Sequence, residues 1–304
     1  MDTTTQVPDT LQPAYSLDYT RPEMYQMAHT PEVVTTIVFA AMSGALFLYA
    51  LWLAKRRGTW LPVLLWVGAW LTMFLEPVAD IMGNAIHSQI GQMNMYSVKG
   101  HPLPLYVLFA YPPYYGALTI LLFDRYVRQD IPRGMWWKIA GGTVLGVISI
   151  EQIPLHYGLW HYYGVHTFKI GYMAIDMVAM NLASVMVASL VIYKLVPVLR
   201  GWRQLMVLGL CPAFAMGGHA GAGILAYNMH GLKTETLSPW IVQGSGALTV
   251  CLSLLVIWGT IELVYGRAAE RTAATQSNEG ADTSRVAAPH GAARGAGATA
   301  GHAT

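Results

Sequence analysis

LTMFLEPVADIMGNAIHSQ (Leu71–Gln89) begins as the end of an apolar run that started at Trp60, then sets down Glu76, Asp80, Asn84 and His87 in succession. Glu76 and Asp80 are one helical turn apart, so on a helix they share a face. A charged side chain at the centre of a bilayer costs about 3 kcal/mol even on lenient insertion scales. The stretch therefore reads either as a helix end reaching lipid headgroups or as one wall of an internal polar site. The rest of the chain decides between them.

Of the 304 residues, 54% are hydrophobic and only 11% charged. A soluble domain carries roughly a quarter charged residues, so this balance belongs to a membrane protein. Net charge is only +2, and position says more than sum. Cys211 and Cys251 both fall inside apolar runs, which predicts neither a disulfide nor a cysteine metal site. The polar start up to about Val33 has no basic opening and no early apolar core, so no cleaved signal peptide is expected.

Apolar runs of spanning length fall at about 33–54, 59–80, 103–123, 135–156, 170–193, 204–226 and 240–265. The connections between them alternate in charge. Lys55–Arg57 follow the first run, Arg125–Lys138 the third, Lys194–Arg203 the fifth and Arg267–Arg294 the seventh, while Arg21, Lys99, Lys169 and Lys233 occupy the other side. That division of Lys and Arg, 14 to 4, predicts an outside N-terminus and a cytoplasmic C-terminus. The expected fold is thus all-α and polytopic, with seven transmembrane helices in the cell (inner or plasma) membrane. A polar non-cytoplasmic segment (1–32) precedes the helical domain (33–266), and a tail rich in Ala, Gly, Ser and Thr (267–304) is expected to be disordered. Loop 84–102, the longest ordered connection, is expected to cap the bundle.

With orientation assigned, the polar residues collect in one outer layer. Glu76 and Asp80 end the second run, and Glu151, Gln152 and His156 end the fourth. Asp176 and Asn181 open the fifth, His219 and Asn228 fall late in the sixth, and Gln243 and Ser245 open the seventh. Such residues normally face a bundle interior, so several at one depth predict a shared polar cavity. Each also has a plainer reading. Glu76 could reach headgroups, Glu151 and Asp176 could hold helices together through His219, Gln152 or Asn181, and His156, His161 and His166 fit interfacial loop histidines. Pro77, Pro112, Pro113 and Pro154 fall in the same layer and would bend helices there. Tyr111, Tyr114 and Tyr115 flank the double proline and are assigned to the cavity with Asn84. Trp160, Tyr162 and Tyr163 are assigned to an aromatic belt.

LEPVADIMGN followed by HPLPLYVLFAYPPYYG, between Leu71 and Gly116, resembles the AveC-like spirocyclase family of bacterial integral-membrane proteins. The resemblance carries Glu76, Pro77 and Asp80. It implies acid-catalysed loss of water from a hemiketal and capture of the resulting oxocarbenium ion by a second hydroxyl. An apolar pocket favours the neutral, acidic form of a carboxyl group, and aromatic faces and a second carboxylate can hold the cation. On this reading Glu76, Asp80, Glu151 and Asp176 are the catalytic candidates. Asn84, Tyr111, Tyr114, Tyr115, His156, Asn181, His219 and Gln243 would bind a hydrophobic small molecule.

A membrane terpene cyclase would use the same parts, and a non-enzymatic lipid or small-molecule binding or transport protein is the alternative outside the enzymes. A retinal protein would need a lysine in the last run, and 240–265 has none. A proton-coupled transporter would need a polar path through the inner halves, which are apolar. No metal, cofactor or nucleic-acid partner is expected, and oligomeric state is not legible in the sequence.

Overall fold

Long apolar runs give up their backbone hydrogen-bonding groups to helices, the one local solution available in lipid. In a computed structural model, describing residues 25–88, 90–98, 101–164, 166–230 and 238–286 and side chains as far as 266, helices occupy each of the seven runs. They are α1 (His29–Arg57), α2 (Leu61–Gly83), α3 (Leu105–Leu121), α4 (Met135–His156), α5 (Ile175–Leu195), α6 (Val207–His230) and α7 (Pro239–Val286). Among the described residues, five helical stretches are long and apolar enough to cross a membrane: His29–Arg57, Leu61–Gly83, Ile175–Val198, Gly201–Met229 and Pro239–Gly266. The other two expected spans depart from that measure for different reasons. α3 is too short, and α4 is diluted by Lys138, Glu151, Gln152 and His156. Leu48, Trp52, Leu145, Ile153, Leu255 and Leu263 lie exposed on the outer surface, an apolar coat suited to lipid rather than water.

α5 is the hub, with 83% of its apolar window buried, and it packs chiefly on α6. Small residues let those two backbones approach. A Cβ on Gly218 would stand 2.7 Å from the Ala183 carbonyl oxygen and 3.0 Å from the Ser184 Cα, so only glycine fits. Ser184 Oγ donates to the Ala215 carbonyl at 2.7 Å across the same seam. This contact sets Asn181 on α5 beside His219 on α6.

The chain is mostly helical, and among the described residues it adds to the expected helices six short strands in three two-stranded antiparallel sheets. β1 (Ala85–His87) pairs with β4 (Trp160–Tyr162), β2 (Asn94–Val98) with β3 (His101–Pro104), and β5 (Lys169–Ile170) with β6 (Met173–Ala174). β1, β3 and β6 are wholly buried, and buried backbone outside a helix must find partners in another strand. The run expected from residue 170 accordingly starts as a hairpin turning at Gly171, and the α5 helix begins only at Ile175. Gln152 ties that hairpin to α4, donating to Ile170 O at 2.7 Å and accepting from Tyr172 N at 3.0 Å.

Loop 84–102 is anchored from α1, where the buried Glu32 accepts the Met93 N–H at 2.7 Å. Its residues 89, 99 and 100 lie outside the described residues. The chain divides into two units, Met1–Val264 and Tyr265–Thr304. In the segment expected to be disordered, helix continues to Val286, in keeping with the good helix formers of RAAERTAA (267–274). Residues 1–24 of the polar N-terminal segment and 287–304 of the tail lie outside the described residues.

Candidate functional site

α2 is regular from Leu61 to Leu71, tightens to a 3-10 turn over Thr72–Leu75, and resumes as helix over Glu76–Gly83. Pro77 sets that boundary: it has no N–H to give, a lack tolerated in a first helical turn. Glu76 and Asp80 then project from one face. The helix ends at Asn84 in the left-handed region (φ 49°, ψ 47°), a conformation asparagine adopts more readily than most residues. From that turn β1 doubles back, and the His87 ring returns over the two carboxylates. Its Nε2 lies 3.4 Å from Glu76 Oε1 and 3.6 Å from Asp80 Oδ2.

Opposite, α3 loosens into a π turn over Pro112–Gly116, where neither proline can supply a helical N–H. Tyr111, at its edge, donates its hydroxyl to Glu76 Oε2 in a short hydrogen bond. On the third side, Glu151 from α4 accepts from Tyr162 Oη at 3.2 Å and faces Asn181 Nδ2 at 3.4 Å. Burial, and after it the charge of Glu151, hold the β4 phenol of Tyr162 well above its ordinary pKa, so it stays a donor. Asn181 Oδ1 lies 3.2 Å from His219 Nε2, and His219 Nδ1 is bonded to Tyr227 Oη. With Asn181 giving its amide hydrogen to Glu151, its oxygen accepts from His219 Nε2–H, and His219 Nδ1 accepts from Tyr227.

These groups line a cavity of about 290 Å³. Glu76, Asp80, Glu151, Tyr111, Tyr114, Tyr115, Asn181 and His219 all line it, so eight of the twelve residues selected from sequence converge. The other four lie outside the lining. Asp176 is buried in the first turn of α5, its Oδ1 accepting the Met177 N–H at 2.9 Å. Asn84 shapes the turn rather than the wall. His156 is exposed and bonded to Tyr172 Oη at 2.6 Å, and Gln243 is half-buried on α7. Chain position does not fix the rotation of a helix or the course of a loop, and these decide where a side chain points.

The lining also holds residues that the sequence reading placed elsewhere. Tyr162, assigned to an aromatic belt, is a cavity residue bonded to Glu151, and its neighbour Trp160 lines the cavity too. His87 and Tyr106 complete the wall. For His87 a signal existed in its distance past Asp80 across a Gly-Asn turn; for Tyr162 the strand pairing that carries it inward left none. No metal centre was expected, yet Glu76, Asp80 and His87 each bring a ligand-capable atom within 4.8 Å of the others. No family model, curated protein or solved structure matches the chain.

Proposed function

We propose that the protein is an integral-membrane cyclase, spirocyclase-like, that closes rings in a hydrophobic polyketide- or terpenoid-like substrate by acid–base catalysis. In this reading seven helices span the cell membrane, with the N-terminus outside, the tail in the cytoplasm and the cavity towards the outer face. The 14-to-4 division of Lys and Arg between alternate connections supports that orientation.

The observation that carries the reading is a largely apolar cavity, with several aromatic rings in its wall, that holds carboxyl groups on two sides: Glu76 and Asp80 on one, Glu151 on the other. Glu151 receives hydrogen bonds from Tyr162 and Asn181 and acts as base. The Glu76–Asp80–His87 side acts as acid. In the proposed step the acid protonates the hydroxyl of a hemiketal, the C–O bond breaks, and water leaves. A second hydroxyl of the same molecule bonds to the oxocarbenium carbon and passes its proton to Glu151, so the net change is loss of one water. Tyr111, Tyr114 and Tyr115 offer ring faces to the positive charge. A volume of about 290 Å³ is at the small end for ligand sites and suits a compact bicyclic core.

The test is purified protein in nanodiscs given dihydroxy-ketone substrates, with the dehydrated spiroketal read by mass spectrometry. Turnover by the wild type, lost in Glu151→Gln, is the expected result. Tight binding of the same compounds without turnover would instead make the protein a small-molecule carrier.

A further inference from the structure

The acid side of the cavity has a hydrogen-bonding problem, and its solution defines a site. Tyr106 Oη donates its single hydrogen to the Leu159 carbonyl at 3.0 Å, because a carbonyl cannot donate in return. The 2.7 Å bond between Tyr106 Oη and His87 Nδ1 must therefore carry its hydrogen on Nδ1. A neutral His87 then turns the bare lone pair of Nε2 towards Glu76 Oε1 at 3.4 Å and Asp80 Oδ2 at 3.6 Å. With Glu76 and Asp80 both ionised, three acceptors converge, and a cation must join them: a proton when this side serves as acid, or a metal ion in its place.

A doubly protonated ring would not close the gap either. Its charge-assisted bonds to carboxylates run at about 2.7–2.9 Å, well short of the separations here. Asp80 and His87 are only 4% and 3% exposed, and Asp80 Oδ2 has no hydrogen-bond partner. Leaving a buried carboxylate oxygen without a partner is costly, so the arrangement favours a bound cation.

We propose that Glu76, Asp80 and His87 form a three-ligand site for a divalent transition-metal cation, with Zn²⁺ or Mn²⁺ chemistry rather than that of thiolate-seeking ions. Ligands at about 2.0–2.2 Å from a tetrahedral centre are roughly 3.4 Å from one another, close to the two separations observed. Two carboxylate oxygens and one imidazole nitrogen suit that class of ion. The outer shell is in place as well. Tyr106 fixes the His87 tautomer, and Tyr111 occupies Glu76 Oε2, leaving Oε1 for the centre. Three protein ligands beside a cavity leave one position open, the pattern of a catalytic rather than a structural site. A bound cation there would polarise a substrate oxygen entering from the cavity. The site does not depend on the substrate being a spiroketal precursor.

The experiment uses full-length protein in nanodiscs, freed of any affinity tag, stripped with chelator and titrated with Zn²⁺, and separately with Co²⁺ as an absorbing probe. The expected result is one tightly held ion per chain, visible Co²⁺ d–d bands, and a raised melting temperature on loading. Asp80→Asn and His87→Gln should each weaken binding at least about tenfold. Glu151→Gln, which alters the cavity but not the ligands, should bind as the wild type does. Wild-type protein that takes up no ion, or ligand variants that load like the wild type, would overturn the proposal. Because no substrate enters this assay, a protein that binds the ion but never cyclises anything would keep the site and lose the cyclase reading.

Discussion

The two sides of the cavity are built in opposite ways. Glu76, Asp80 and His87 come from twelve consecutive residues, brought together by a proline-marked helix restart and one left-handed asparagine. Glu151, Tyr162, Asn181 and His219 come from α4, β4, α5 and α6 and meet only because the helices pack. Their chemistry differs as well. On the second side every donor finds an acceptor, from Tyr227 through His219 and Asn181 to Glu151. On the first side two carboxyl groups and an imidazole nitrogen face one another, and the ionised arrangement calls for a cation. A local construction can hold an electrostatically awkward cluster because backbone geometry enforces it. The dispersed side depends on its hydrogen bonds to stay assembled.

The largest effect should separate the two sides by chemistry. Glu76→Gln keeps shape and the Tyr111 contact but removes an acid, so melting of the metal-free protein should be unchanged. Turnover should fall about 100-fold to 10,000-fold, roughly 3 to 5 kcal/mol of barrier, as measured by product formation in nanodiscs. Equal losses of turnover and melting temperature would make the carboxylate structural instead.

A smaller effect sharpens the contrast through the two tyrosines behind the histidines. Tyr106→Phe frees the His87 tautomer and should weaken Zn²⁺ binding about 10-fold to 100-fold by titration. Tyr227→Phe touches only the other side and should leave that affinity unchanged.

The smallest effect concerns packing. Gly218→Ala forces a Cβ into the Ala183 carbonyl and should destabilise by about 1 to 3 kcal/mol in a thermal melt. A Cβ on Gly217 meets nothing within 4 Å, so Gly217→Ala should melt at or above the wild type. If the two melted alike, the close α5–α6 seam that positions Asn181 and His219 would be in question.

The same contrast explains what the sequence could reveal. Helix positions followed from apolar run length, and the layer holding Glu76, Glu151 and Asn181 followed from the alternation of basic loops. Asp176 has that depth too, but lies outside the lining, because depth along a helix does not fix rotation about it. His87 and Tyr162 reach the cavity on paired strands β1 and β4, and their register is a long-range fact, Ala85 opposite Tyr162, that no local pattern encodes. The metal-like cluster was hidden for another reason. Its acids were visible one turn apart, but the returning histidine depends on a single backbone conformation at Asn84.

The central claim is that the local and the dispersed side face one cavity. With Cys211 and Cys251 replaced, cysteines at positions 76 and 151 can be treated in nanodiscs with a short bifunctional thiol reagent, and the linked peptides sought by mass spectrometry. The account predicts an efficient 76–151 crosslink, and none when position 243, outside the lining, is paired with 76 in place of 151. Failure of the 76–151 pair to link, when each cysteine reacts singly, would contradict it.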